Sequence, residues 1–146
     1  MSAVSEIMSP GAIVTIDAGA NPSALDAAVA MAKNRVGSVI VTESGRPAGI
    51  ITERDLLKKV SAQNRRPQDV PARSIMSSPL VTVMAYDSID TAAAAMSKNR
   101  IKRLPVLEAD GSLAGMLSVT DIAKKLAKIL ADDYDRYRSL RAVLDL

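Results

Sequence analysis

The chain repeats itself, and that limits its possible folds more than any other feature. The stretch GIITERDLLKKV (49–60) returns as GMLSVTDIAKKL (115–126). Gly49 and Gly115, Thr52 and Ser118, and Asp55 and Asp121 all stand at one common offset. The match continues upstream. SEIMSPGAIVTI (5–16) resembles RSIMSSPLVTVM (73–84), and AMAKNRVGSVIV (30–41) resembles AMSKNRIKRLPV (95–106). This divides the chain into units at 5–60 and 73–127, with a polar, proline-bearing linker at 61–72 and a helical extension at 128–146. Two repeats are too few for a solenoid. A pseudo-symmetric pair packed face to face is the expected alternative.

Each unit has the pattern strand–helix–strand–strand–helix. IVTI and LVTV are short β-rich runs. NPSALDAAVAMAKN places Leu25, Ala28, Val29 and Ala32 on one helix face, the expected core face, with Asn21 or Ser23 as cap. YDSIDTAAAAMSKN is its counterpart, capped by Asp87 or Ser88. The apolar runs GSVIVTE and RLPVLEA follow, ending at turns near Gly45 and at 109–111, and then AGIIT and AGMLS. A helix between the first two strands favours a parallel crossover, and the next two strands read as a hairpin.

Composition removes whole classes of chemistry. The 146 residues include no cysteine and no histidine, so there is no thiol nucleophile, no zinc–cysteine site, and neither the commonest general base nor the commonest transition-metal ligand. A net charge of +3 is mildly basic. With no Phe or Trp and three Tyr, base stacking on aromatic platforms is disfavoured, and nucleic acid with it. No apolar run is long enough to cross a bilayer and no secretory signal is visible, so the expected location is cytoplasmic, without membrane contact.

At both strand-to-helix junctions a hydroxyl stands three positions before an acid. This is the spacing of a capping box, which satisfies amides at the helix start. It also suits a nucleoside phosphate. A helix start offers N–H groups and a positive dipole end to an anion, and a carboxylate one turn in can accept from vicinal sugar hydroxyls. Gly49 and Gly115 would admit a flat ring or simply permit tight packing or a bulge. The spacing does not choose between these readings.

Taken in order and twice over, the segments resemble the cystathionine-β-synthase (CBS) domain, and the tandem resembles a CBS pair, or Bateman module. The likeness rests on G-h-x-[S/T]-x-x-[D/N] after a strand such as RLPV, and on the openings IMSPGAIVTI and IMSSPLVTVM. The resemblance implies an α/β (α+β) fold of two pseudo-symmetric βαββα units packed sheet against sheet, plus a C-terminal helix. It implies up to two clefts for AMP, ADP, ATP or S-adenosylmethionine as regulatory ligand. Asp55 and Asp121 would hold ribose hydroxyls, Thr52 and Ser118 would meet phosphate or ribose, and Arg54 or Thr120 would reach phosphate. Val36, Gly37 and Ser38, and Ile101, Lys102 and Arg103, would line the adenine or phosphate end. Which cluster faces which acid stays open. The copies differ in charge, so unequal sites are expected.

Three further features complete the reading. KNR (33–35 and 98–100) closes the first helix of each unit, with Asn suited to a cap and Arg35 or Arg100 alternatively touching phosphate. Lys58, Lys59, Lys124 and Lys125 read as surface charges. In the extension, Leu130, Tyr134, Tyr137, Leu140 or Arg141, and Leu144 form a stripe, supported by the pairs Asp132–Arg136 and Asp135–Arg138. That stripe is expected to pack on its own module or on a second copy as a homodimer, with binding of a different protein as the alternative. The expected function is a non-catalytic ligand sensor that signals to a separate regulated protein, with no metal and no catalytic cofactor. The alternatives are a ligand-free structural or oligomerisation module and, less favoured, a nucleic-acid-binding protein.

Overall fold

A computed structural model describes residues 2–10 and 13–144 of the protein. Gly11 and Ala12 of the first opening segment, and Asp145, Leu146 and the Leu144 side chain of the extension, lie outside the described residues. In chain order the elements are α1 (Val4–Ile7), β1 (Thr15–Asp17), α2 (Ala24–Asn34), β2 (Ser38–Glu43), β3 (Arg46–Thr52), α3 (Glu53–Lys59), α4 (Ala72–Ile75), β4 (Val83–Met84), α5 (Ile89–Asn99), β5 (Arg103–Leu107), β6 (Leu113–Ser118) and α6 (Val119–Leu144). They form two three-stranded sheets, ordered β1-β2-β3 and β4-β5-β6. In each sheet the first pair is parallel and the second antiparallel. Both repeats are therefore βαββα units. Ser44 and Gly45 have φ of 51° and 76° and close the first hairpin as a two-residue turn, whose twist suits the strands it joins. No helix among the described residues is long and apolar enough to cross a membrane.

The central strands explain the continuous apolar runs. Val39 and Val41 of β2 join Ile51, Ala24, Ala27 and Met31 in the first core. Leu104 and Val106 of β5 join Leu117, Ala92 and Met96 in the second. Ile40 and Pro105 point the other way and are also fully buried. Each lies beside residues of the opposite unit, Ile40 with Met116 and Pro105 with Ile50. A strand covered on both faces needs no alternation of apolar and polar residues. Pro105 has a further effect. Ile40 donates its N–H to the Val14 carbonyl at 2.9 Å, and a proline cannot make the equivalent bond. β4 accordingly pairs over two residues where β1 pairs over three.

The expected core face of α2 is corrected. Leu25 and Val29 are 40% and 55% exposed, while Ala24, Ala27 and Met31 are buried. Small alanines let the helix lie close to the sheet, while Leu25 and Val29 face outward. Ser23, not Asn21, caps this helix through a complete capping box with Asp26, and Ser88, not Asp87, caps α5. Asp87 instead accepts from the Met84 N–H at 2.9 Å.

The two units exchange their lead-in segments. α1 precedes the first sheet, yet Val4 is buried in the second core with Ile7 and Met8 against it. α4 precedes the second sheet, yet Ala72 and Ile75 belong to the first core. Each segment then runs along the last strand of the unit it joins. Ser77 exchanges two backbone hydrogen bonds with Ile50 at 2.9 and 3.2 Å, and Ser9 does the same with Met116 at 3.0 and 3.3 Å. Gly49 and Gly115 make this contact possible. A Cβ at Gly49 would lie 2.7 Å from Met76 Sδ and 2.9 Å from the Ser77 carbonyl; one at Gly115 would lie 2.7 Å from the Ser9 carbonyl. The space these glycines leave is filled by the chain itself, not held open for a flat ring. The polar stretch after α3 is drawn into the same arrangement. It forms two short 3₁₀ turns, Ser61–Gln63 and Pro67–Asp69, and then buries Val70 in the first core.

α6 runs unbroken from the second unit through the extension, about 39 Å at 1.5 Å per residue. Arg136 pairs with Asp133 at 3.8 Å, one turn back, rather than with Asp132. Gly115→Ala is expected to lower stability by about 1–3 kcal/mol, because the new methyl meets backbone that is itself hydrogen-bonded to β6. Chemical denaturation would measure the loss, and an unchanged midpoint would contradict the close crossing.

Candidate functional site

Both hydroxyl–acid pairs form caps. The Thr52 N–H donates to Asp55 Oδ2 at 2.9 Å, and the Asp55 N–H donates back to Thr52 Oγ1 at 3.3 Å. Ser118 and Asp121 repeat the exchange at 2.9 and 3.1 Å. The first amide of each helix is also satisfied. Glu53 N–H donates to the Gly37 carbonyl at 3.1 Å and Val119 N–H to the Lys102 carbonyl at 2.9 Å. These helix starts therefore offer an anion fewer free N–H groups than the spacing suggests. Any phosphate held here depends mainly on side-chain cations.

The acids also stand at the mouths of two clefts between the units, and the pairing is crossed. Asp121 and Ser118 of the second unit face Val36, Gly37 and Ser38 of the first. Thr52, Arg54 and Asp55 of the first face Ile101, Lys102 and Arg103 of the second. The Asp55 cleft is the larger, ≈ 1180 Å³ against ≈ 790 Å³ with their open mouths counted. Crossing accompanies the exchange of lead-in segments, which hydrogen-bonds Ser9 to Met116 and Ser77 to Ile50 and so ties each unit to the last strand of the other.

The clefts carry different charge. Arg54, Arg100, Lys102 and Arg103 line the Asp55 cleft with Glu53 and Asp55, an excess of cations. In the Asp121 cleft Arg103 is the cation among the described lining residues and Asp121 the acid. Asp55 is also held more tightly. Its Oδ1 meets Lys59 Nζ at 3.0 Å, and that ammonium donates to the Ile75 carbonyl at 2.9 Å. Lys59 is thus a surface charge, its side chain 41% exposed, that is also paired.

Eleven of the twelve residues expected at the clefts line one or the other. Thr120 does not; it is exposed and outside the lining of the Asp121 cleft. Arg100 was legible only as an alternative. It is the left-handed cap of α5 at φ 54°, while Asn99 donates back to the Ala95 carbonyl from within the last turn. That conformation ends the helix at the wall of the Asp55 cleft. The apolar walls, including Leu80 and Val81 in one cleft and Ile13 and Val14 in the other, went unassigned. They open the β-rich runs IVTI and LVTV, which periodicity assigns only to strands.

A tandem of βαββα units enclosing two interunit clefts is the class of protein that this fold and geometry define. Residues 4–62 and 72–128 both match the model of the CBS domain. The chain belongs to the CBS-domain family. The uncharacterized protein MK0525 of Methanopyrus kandleri is 42% identical over 101 residues, which cover 68% of this chain and 52% of that protein. The chain thus spans about half the length of this curated relative. Among solved structures, the CBS domain protein PAE2072 from Pyrobaculum aerophilum complexed with AMP superposes with a TM-score of 0.73 at 30% identity, covering 82% of this chain and 89% of that one. The CBS domain pair of protein MJ0100, in complex with 5′-methylthioadenosine and S-adenosyl-L-methionine, gives 0.72 at 26% identity, covering 87% and 97%.

Thr52→Ala or Ser118→Ala is expected to cost about 0.5–2 kcal/mol of stability through the lost cap. Thermal or chemical melts without ligand would measure it. No change for either variant would show that the hydroxyls are not structural.

Proposed function

We propose that the chain is a non-catalytic regulatory module that binds adenosyl ligands in the two crossed clefts and passes their occupancy to a regulated partner protein. The observation that carries this reading is the Asp55 cleft, where an acid suited to ribose hydroxyls stands among four cations suited to phosphates. The AMP complex of one structural neighbour and the S-adenosylmethionine complex of another support the same ligand class. The Asp55 cleft fits ADP or ATP best. The Asp121 cleft fits a less charged ligand, AMP or S-adenosylmethionine. Signalling then follows from a change in the relative pose of the units, limited by the ligand's differential affinity for the two poses.

The formed capping boxes favour a second reading, a structural module in which both acids serve only their helices. Calorimetry separates the two. The proposal expects heat from at least one of AMP, ADP, ATP and S-adenosylmethionine, with Asp55→Asn weakening ADP at least about tenfold through the loss of charged hydrogen bonds. Stripped protein that takes up none of the four would leave the structural reading standing.

We also infer that the module forms a homodimer through α6. Leu126, Ile129, Leu130, Tyr134, Tyr137 and Leu140 are 43–69% exposed on this helix. Asp132, Asp133 and Asp135 precede Arg136, Arg138 and Arg141. An antiparallel pair of α6 helices sets the acidic block of one copy against the basic block of the other, whereas a parallel pair sets like against like. Sedimentation is expected to show a dimer that Tyr137→Glu converts to monomer. A wild-type chain that remains monomeric as concentration rises would contradict the inference.

A further inference from the structure

The two clefts share one side chain. Arg103 starts β5 and lines both the Asp55 cleft and the Asp121 cleft. Its position depends on the opposite unit. A Cβ at Gly37 would lie 3.1 and 3.2 Å from the two terminal nitrogens of Arg103 and 3.3 Å from the carbon between them. The guanidinium therefore rests face-on against the Gly37 backbone, across the boundary between the units. The repeat makes sense of this contact. Gly37 and Ser38 occupy the places that Lys102 and Arg103 hold in the second copy, and both meet Arg103 in the lining of the Asp121 cleft. Two long cations cannot both cross there. The first copy is small where the second is large, and Arg103 fills the space.

The consequence is an imbalance. The Asp55 cleft retains Arg54, Arg100 and Lys102 without Arg103. The Asp121 cleft, among its described lining residues, has no second cation. We propose that Arg103 is a phosphate contact shared by both clefts, so that phosphate in one cleft weakens the binding of phosphate in the other. This rests on the reading of the clefts as adenosyl sites and adds a sign to it. A fork drawn toward the Asp55 cleft leaves the Asp121 cleft without its cation. Thermodynamic linkage makes the antagonism equal in both directions.

AMP calorimetry on the full chain tests the proposal. Asp121→Asn reports the Asp55 cleft with the other site impaired, and Asp55→Asn reports the Asp121 cleft in the same way. In the wild type, the second equivalent of AMP is expected to bind about fivefold or more weaker than that cleft binds alone, the lower end of typical coupling between sites. Arg103→Gln is expected to remove the gap and weaken both clefts. Gly37→Ala keeps the charge but pushes the fork aside, and is expected to change the gap while Arg103 remains. A wild-type isotherm equal to the sum of the two single-cleft isotherms would overturn the shared contact while leaving the clefts as adenosyl sites. So would an Arg103→Gln variant that weakens one cleft only. Absence of AMP binding to all of these chains would overturn the shared contact, and it would overturn the adenosyl reading as well only if ADP, ATP and S-adenosylmethionine also gave no heat.

Discussion

The structure depends on the close passage of each lead-in segment over a glycine of the opposite unit. At Gly49 and Gly115 the chain comes nearer to β3 and β6 than any side chain would allow. That approach lets Ser77 and Ser9 extend the two sheets by one strand-like pairing each. It also places α4 in the first core and α1 in the second. Neither unit completes its core from its own contiguous repeat. Each core is thus completed by the lead-in segment of the other unit, and the clefts are walled by both units.

Electrostatics then differentiates two sites that topology makes alike. The capping boxes and the carbonyls of Gly37 and Lys102, just before β2 and β5, occupy much of the hydrogen-bonding capacity of the helix starts. The positive helix end still contributes a field there, but the groups suited to selecting a phosphate are arginines and a lysine. Arg offers a planar fork for phosphate, and three of the four cations lining the Asp55 cleft are arginines. Lys59 on Asp55 Oδ1 adds a further constraint, since it fixes the carboxylate while leaving it 13% exposed at the cleft. Symmetry of backbone with asymmetry of charge is how one duplicated unit supplies two different sites.

Much of this was legible in the sequence because repetition is independent of fold. The strand–helix–strand–strand–helix order, the hairpin at Gly45 and both capping boxes follow from local spacing, and local spacing is what a sequence displays. Partner choice across the chain is not local. Nothing in IMSP or IMSS says that each segment packs with the other unit, so the role of Gly49 and Gly115 stayed divided between ligand and packing. The α2 face was misread for a related reason. Periodicity weighs Leu25 and Val29 as core residues, whereas close helix–sheet packing selects Ala24 and Ala27. The contrast between Gly37–Ser38 and Lys102–Arg103 was visible as a difference in charge. Only geometry shows that the small pair makes room for the large one.

The central claim is that the crossed clefts hold adenosyl ligands, each acid serving the strand cluster of the opposite unit. A crystal structure of the protein grown with ADP tests it most directly. The account predicts ribose hydroxyls on the Asp55 carboxylate and the diphosphate among Arg54, Arg100, Lys102 and Arg103. Nucleotide bound away from both acids, or ribose on Asp55 with phosphates directed away from the second unit, would contradict it.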